Sequence, residues 1–187
     1  MASPATLSPT PWQRLRYRAG QLLMSLRPEI EAEERNWVEA ALGPEAAALF
    51  WRMAPRDRRH SLNVAQALRR QGHRHPDLLA AALLHDVGKT VQDGRPLRLR
   101  HRVVIVLLNA LRPGLVSRLA SPDPQSWRHP YYVHLHHPEQ SAALAQAAGC
   151  SPLAVELIRR HQEKLAAEPR SEADRLLALL QAADDVN

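Results

Sequence analysis

The stretch Asp77-Leu-Leu-Ala-Ala-Ala-Leu-Leu-His85-Asp86-Val-Gly-Lys89-Thr90 decides the fold. From Leu78 to Leu84 it is apolar almost all the way round a helix, and a helix without a polar face must be covered on every side. It then ends in His85-Asp86, two groups that are costly to bury unless paired or bound to a metal. Gly88 is expected to stop the helix through a left-handed turn. Lys89, one of only two lysines in the chain, follows at once. A buried helix that delivers an imidazole, a carboxylate and a cation to its own C-terminal end reads as a site rather than as packing.

Composition sets the frame around that helix. The 187 residues suit one domain with a sizeable core. A single cysteine, Cys150, excludes an internal disulfide and points to a reducing cytoplasm. No apolar run approaches the length of a membrane span, and the proline-rich start lacks the apolar core of a signal peptide. The formal charge is +6, and basic residues cluster at Arg52, Arg56, Arg58, Arg59, Arg69, Arg70 and Arg74 against only Asp57. Aromatic residues make up 4% of the chain and form no base-stacking motif, so nucleic acid is disfavoured, a small anionic substrate explains the cluster as well, and a merely soluble basic surface stays open.

Taken in order, residues 1–11 read as a lead-in and residues 12–26 as a basic amphipathic helix. Residues 29–42 form a second helix closed by Gly43, and Pro44 opens a third. After Pro55 a longer helix runs to about Gln71, with His60 on the same stripe as Val64, Ala67 and Leu68. Residues 91–100 read as a loop at the mouth of the site, 102–111 as a buried helix, and 121–130 as a second loop. Pro138 is expected as the first residue of the next helix, which puts His137 at its start. Ser151-Pro152 opens another helix, where Leu157, His161 and Leu165 share a face. The last helix, about Glu172 to Val186, turns Asp184 inward and leaves Asp185 in solvent. The pattern is all-α, with an N-terminal helical extension over residues 1–54 and the site-bearing domain over residues 55–187.

The polar groups on otherwise apolar faces are His60, His85, Asp86, His137, His161 and Asp184. One buried histidine is ordinary; four imidazoles and two carboxylates need compensation, which a divalent metal supplies. Mixed imidazole and carboxylate ligation suits transition metals. Two ions bridged by one carboxylate would use all six groups.

In this ordered set the chain resembles the HD superfamily of metal-dependent phosphohydrolases, whose pattern is H…HD…H…H…D. Arg59-His60-Ser61, Leu83-Leu84-His85-Asp86-Val87-Gly88-Lys89, the run from His137 to Ala145, Leu157 to His161, and Ala182-Ala183-Asp184 carry the resemblance. His134 and His136 compete with His137, and the run to Ala145 favours His137. The resemblance implies an HD-domain helical bundle with a binuclear centre. One ion would take His60, His85, Asp86 and Asp184, and the second His137 and His161, with Asp86 bridging. The ions would be divalent transition metals, iron or manganese foremost, with cobalt, nickel or zinc also compatible. A shared water made acidic by both ions would attack phosphorus in line. Asp86 and Lys89 are thereby the catalytic candidates, and Lys89, Arg56 and Arg59 the substrate-binding ones, for a nucleotide or other phosphoester. The Gly-Tyr-Pro signature of the cyclic-di-GMP branch does not follow His161-Gln-Glu163, so that branch is disfavoured. Two alternatives use the same residues: a di-iron oxygenase of the superfamily, or a non-catalytic metal-binding sensor or adaptor. His73, His75, His101 and His129 match no family position and read as surface or loop residues.

Overall fold

The computed structural model describes residues 29–89, 101, 104, 105, 108, 114–166 and 168–187. The lead-in, the basic helix over 12–26 and the loop over 91–100 lie outside them. The described residues are all-helical. In chain order the helices are α1 (Ala32–Leu42), α2 (Pro44–Arg52), α3 (Pro55–Arg70), α4 (Pro76–Leu84), a 3-10 turn (Val87–Lys89), α5 (Leu115–Leu119), α6 (His129–Ala147), α7 (Pro152–Arg160) and α8 (Glu172–Val186).

Helix α4 is the centre of the bundle. Leu78, Ala81, Ala82, Leu83 and Leu84 are 0% exposed, and α1, α2, α3, α7 and α8 all pack against it. Each fully buried leucine of this kind contributes roughly 1.5–3 kcal/mol. The start of α4 is tied to the start of α7 through one serine. Ser151 caps α7 by accepting from the Ala154 N–H at 3.0 Å and donates to Asp77 Oδ1 at 2.6 Å. Val38, Ala46, Phe50 and Met53, from α1 and the α2 region, belong to the same apolar core as Leu177 and Leu180 of α8.

Part of the arginine cluster is spent on this packing. Arg69 lies over the Trp37 ring at 4.4 Å, as Arg35 does over Trp51 at 4.3 Å, and Arg58 donates to the Trp51 carbonyl. Those guanidinium groups close the seam between α1, α2 and α3.

Four local expectations are corrected. Pro138 does not open a helix: it lies inside the 19-residue α6, which begins at His129 and takes in the end of the expected 121–130 loop. A proline there forfeits the hydrogen bond to the carbonyl four residues back and costs about 3 kcal/mol unless that carbonyl is satisfied otherwise. His134 is that residue, and its carbonyl accepts from His137 Nδ1 at 2.7 Å instead. His129 is buried rather than on the surface: it starts this helix, its Nδ1 pairs with the Ser121 carbonyl at 3.3 Å and its ring stacks on Tyr132. Helix α7 ends at Arg160, so His161 caps it and Leu165 lies beyond it. The fourth correction concerns the buried 102–111 helix: its described residues 104, 105 and 108 are helical, but Val104 is 37% exposed while Ile105 is buried.

Gly88 is also needed for a different reason from the one its sequence suggests. It is not among the glycines with positive φ, and the chain passes from α4 into the 3-10 turn without a left-handed residue. A Cβ at Gly88 would lie 2.7 Å from the His137 carbonyl oxygen and 2.9 Å from both the N and Oγ of Ser141. The Gly88 N–H donates to Ser141 Oγ at 2.8 Å, so the turn docks directly on the α6 backbone. Gly88→Ala is therefore expected to lower stability by ~1–3 kcal/mol, because backbone must move to admit the methyl group. A urea midpoint equal to that of the parent protein would contradict this.

Candidate metal centre

The six residues singled out by pattern meet at one place. His85 and His161 each cap a helix, α4 and α7, and His137 sits where α6 has no N–H to offer the His134 carbonyl. All three rings use the same device. His85 Nδ1 pairs with the Ala82 carbonyl at 3.0 Å, His137 Nδ1 with that of His134 at 2.7 Å, and His161 Nδ1 with that of Ile158 at 2.7 Å. Each acceptor lies three residues earlier, near a helix end or opposite a proline; the Ile158 carbonyl also accepts from the His161 N–H, at a long 3.5 Å. The bond puts a proton on Nδ1 and aims Nε2 into the centre.

The Nε2 atoms converge on Asp86. Its Oδ1 lies 3.4 Å from His137, 3.6 Å from His85 and 4.0 Å from His161. Its Oδ2 lies 2.6 Å from Lys89 Nζ and 4.0 Å from His60 Nε2. Asp184, from the last turn of α8, closes the other side: its Oδ1 is 2.8 Å from His60 Nε2 and 3.5 Å from His85 Nε2. Asp185 points to solvent.

Charge in this cluster is coupled. Burial would raise the Asp86 carboxyl, yet Lys89 and His85 hold it well below the usual carboxylate range. Burial would lower His85, but Asp86 and Asp184 push it up to about 9. Burial lowers His137, and burial with the nearby His85 brings His161 down to about 3. Asp184, despite burial, is held below its ordinary value by His60 and His85. The centre thus presents two ionised carboxylates, and neutral imidazoles at His137 and His161.

These residues fit a divalent metal. Asp86 Oδ1 and His85 Nε2 are buried without a hydrogen-bond partner, the kind of orphan that a native core rarely tolerates. His137 Nε2 and His161 Nε2 face each other at 3.3 Å. Since both Nδ1 atoms already carry the proton, both Nε2 atoms are acceptors; the Gln162 amide at 3.3 Å serves only His137, so no proton is shared between the two nitrogens, an arrangement that a cation relieves. Two groups have ligand atoms within 4.8 Å of one another, His60–His85–Asp86 and Asp86–His137–His161, and Asp86 belongs to both.

The expected substrate groups are divided by the structure. Lys89 is paired with Asp86, and Arg56 is part-buried one turn before His60 on α3. Arg59 is committed elsewhere: it donates to both carboxylate oxygens of Glu34 at 2.8 and 3.0 Å, and to the Glu29 carbonyl. The adjacent Gln66 joins the same carboxylate at 2.8 Å. Reading by pattern missed Gln162 and Gln181. Gln162 Nε2 lies 3.3 Å from His137 Nε2, and Gln181 donates to the His161 and Glu163 carbonyls at 3.0 and 2.8 Å. Their only signals were adjacency to His161 and a three-residue offset from Asp184.

The chain belongs to the HD-domain family, whose model matches residues 58–187. No curated protein and no solved structure matched it. Among the described residues no helix is long and apolar enough to cross a membrane.

The Glu34–Arg59 pair gives a pH test that separates structure from substrate binding. Arg59 holds Glu34 down to about 2 from an ordinary 4.5. A depressed carboxylate stabilises the fold fully above its unfolded value, and that contribution fades as pH falls through the folded one. Glu34→Gln is expected to cost ~1–3 kcal/mol above pH 4.5, with the difference from wild type shrinking toward pH 2. Denaturant titrations across that range check it; a difference independent of pH would count against the pair.

Proposed function

We propose that the protein is a metal-dependent phosphohydrolase acting on a nucleotide or another small phosphoester. The observation that carries the metal is the facing pair of lone-pair nitrogens on His137 and His161, set against the orphaned Asp86 Oδ1. Membership of the HD-domain family supports the choice of hydrolysis. In this reading His60, His85, Asp86 and Asp184 would hold one divalent transition-metal ion, and His137 and His161, together with Asp86, a second. Iron or manganese suits this donor set best. The bound metal supplies Lewis-acid activation of water and neutralises charge on the phosphoryl oxygens.

The remaining roles fall to the chain. The helix-end carbonyls fix the ring tautomers, so the Nε2 atoms are preset. Asp86 accepts from Lys89 through Oδ2 while Oδ1 faces three imidazoles, so one carboxylate serves the centre and also orients a cation beside it. Lys89 Nζ, on the 3-10 turn, then lies where a phosphate oxygen bound at the centre can take it as partner. Arg56 is a second anion-binding candidate. Arg59 is committed to Glu34 and would meet a substrate only by giving up that pair.

Purification without oxygen, a metal count, and turnover on nucleotides, dinucleotides and simple phosphodiesters test the reading. Wild type is expected to hold about two ions and to hydrolyse at least one phosphoester class. His85→Ala and Asp86→Asn should lose metal together with at least ~100-fold in rate. Oxygen consumption by a mixed-valent iron form, without phosphoester turnover, would point to the oxygenase instead. Full metal content with no turnover would favour a sensor.

A further inference from the structure

Gln162 has an environment that its exposure does not suggest. It follows His161 directly, in the turn beyond α7, and is itself exposed. Its carboxamide nevertheless reaches into the centre, with Nε2 3.3 Å from His137 Nε2. The His137 proton is on Nδ1, bonded to the His134 carbonyl, so Nε2 is an acceptor and the Gln162 amide is the donor.

The turn that carries Gln162 is braced on both sides. Gln181, on α8, donates to the carbonyls of His161 and Glu163, the residues flanking Gln162. Arg160 reaches the Glu163 carboxylate at 2.9 Å while also holding Glu156 at 2.7 Å and Asp174 at 2.8 Å. The backbone N–H of Glu163 closes the turn on the Arg160 carbonyl. An exposed glutamine on a free loop would lose several rotatable bonds' worth of entropy to make one contact. Here the backbone part of that cost is already met by the fold.

Resting on the phosphohydrolase reading, we propose that Gln162 is a substrate-contacting residue whose carboxamide N–H donates to a phosphoryl oxygen at the Asp86–His137–His161 side of the centre. The lone pair that Gln162 now uses is the one a metal ion takes from His137. Its donor is then released at the edge of the centre while the brace keeps it in place, and an anionic oxygen is the partner it lacks. Lys89 lies against Asp86 Oδ2, and Gln162 lies beside the nitrogen nearest Asp86 Oδ1. Lys89 and Gln162 thus stand on the Oδ2 and Oδ1 sides of Asp86, one charged donor and one neutral.

The test uses the full chain loaded with manganese, inorganic phosphate as the probe, and calorimetry with a parallel metal count. Gln162→Ala should keep the wild-type metal content and weaken phosphate binding by about tenfold or more, the loss of a hydrogen bond to a charged acceptor. Gln162→Glu should weaken it further, because a carboxylate faces the anion. Unchanged phosphate affinity in both variants overturns the proposal while leaving the phosphohydrolase reading intact. Loss of metal in Gln162→Ala also overturns it, since Gln162 would then serve His137 rather than substrate. Wild-type protein that loads metal but binds no phosphate overturns the phosphohydrolase reading, and this inference with it.

Discussion

The structure depends on carbonyl oxygens that the helices cannot satisfy by themselves. An α-helix leaves its last carbonyls without N–H partners, and burying them unpaired costs as much as losing the hydrogen bonds. At the ends of α4 and α7 one of those carbonyls goes to His85 and one to His161, and in mid-α6 a proline frees the one that goes to His137. One set of bonds therefore completes three helices and aims three imidazoles. Discarding a histidine would remove a side-chain donor from its carbonyl, and at α7 would leave the Ile158 carbonyl only the long 3.5 Å bond from the backbone N–H of residue 161. Keeping the histidines turns three Nε2 atoms on one carboxylate. Structure and site share the same hydrogen bonds.

Much of this was legible in the sequence, for reasons specific to the residues. The apolar run from Leu78 to Leu84 has one physical outcome, complete enclosure, and three of the helices that enclose it have clear starts at Pro44, Pro55 and Pro152. The spacing of His60, His85-Asp86, His137, His161 and Asp184 was equally plain, because each interrupts or ends an apolar stripe. What escaped reading were partnerships between distant positions. Pro138 looked like a helix start because local rules place proline there; that His137 would take over the orphaned carbonyl depends on the ring's direction, which spacing does not encode. Gly88 looked like a left-handed stop, whereas its lack of a side chain is needed by Ser141, 53 residues away. Arg59 looked free for substrate because Glu34, 25 residues earlier, belongs to a helix with no motif of its own.

The same distant partnerships explain why residues before the family match matter to the domain. The HD-domain match begins at residue 58, yet Val38 and Phe50 are 0% exposed within the core that surrounds α4. Glu34 fixes Arg59, which immediately precedes His60. A basic stretch that composition alone would assign to an anionic partner is thus partly an internal fastening, with Arg58, Arg59 and Arg69 each occupied by a tryptophan, a carbonyl or a carboxylate. Net charge describes the chain; it does not say which cations the fold already occupies.

Lys89 is the cation for which this distinction matters most. Its ammonium is paired, but with Asp86, a group inside the centre rather than a packing partner. Asp86 is itself fully enclosed and needs positive charge to remain ionised there; Lys89 and His85 supply it. On the proposed reading, a divalent ion held by Asp86 would share that compensation with Lys89. The position of Lys89 is rigid, because it is the last residue of a 3-10 turn whose Gly88 is pressed onto the α6 backbone and hydrogen-bonded to Ser141. The close approach at Gly88 therefore does more than pack two elements. It holds the lysine against the carboxylate, and sets the carboxylate opposite the His137 ring that the same stretch of α6 provides.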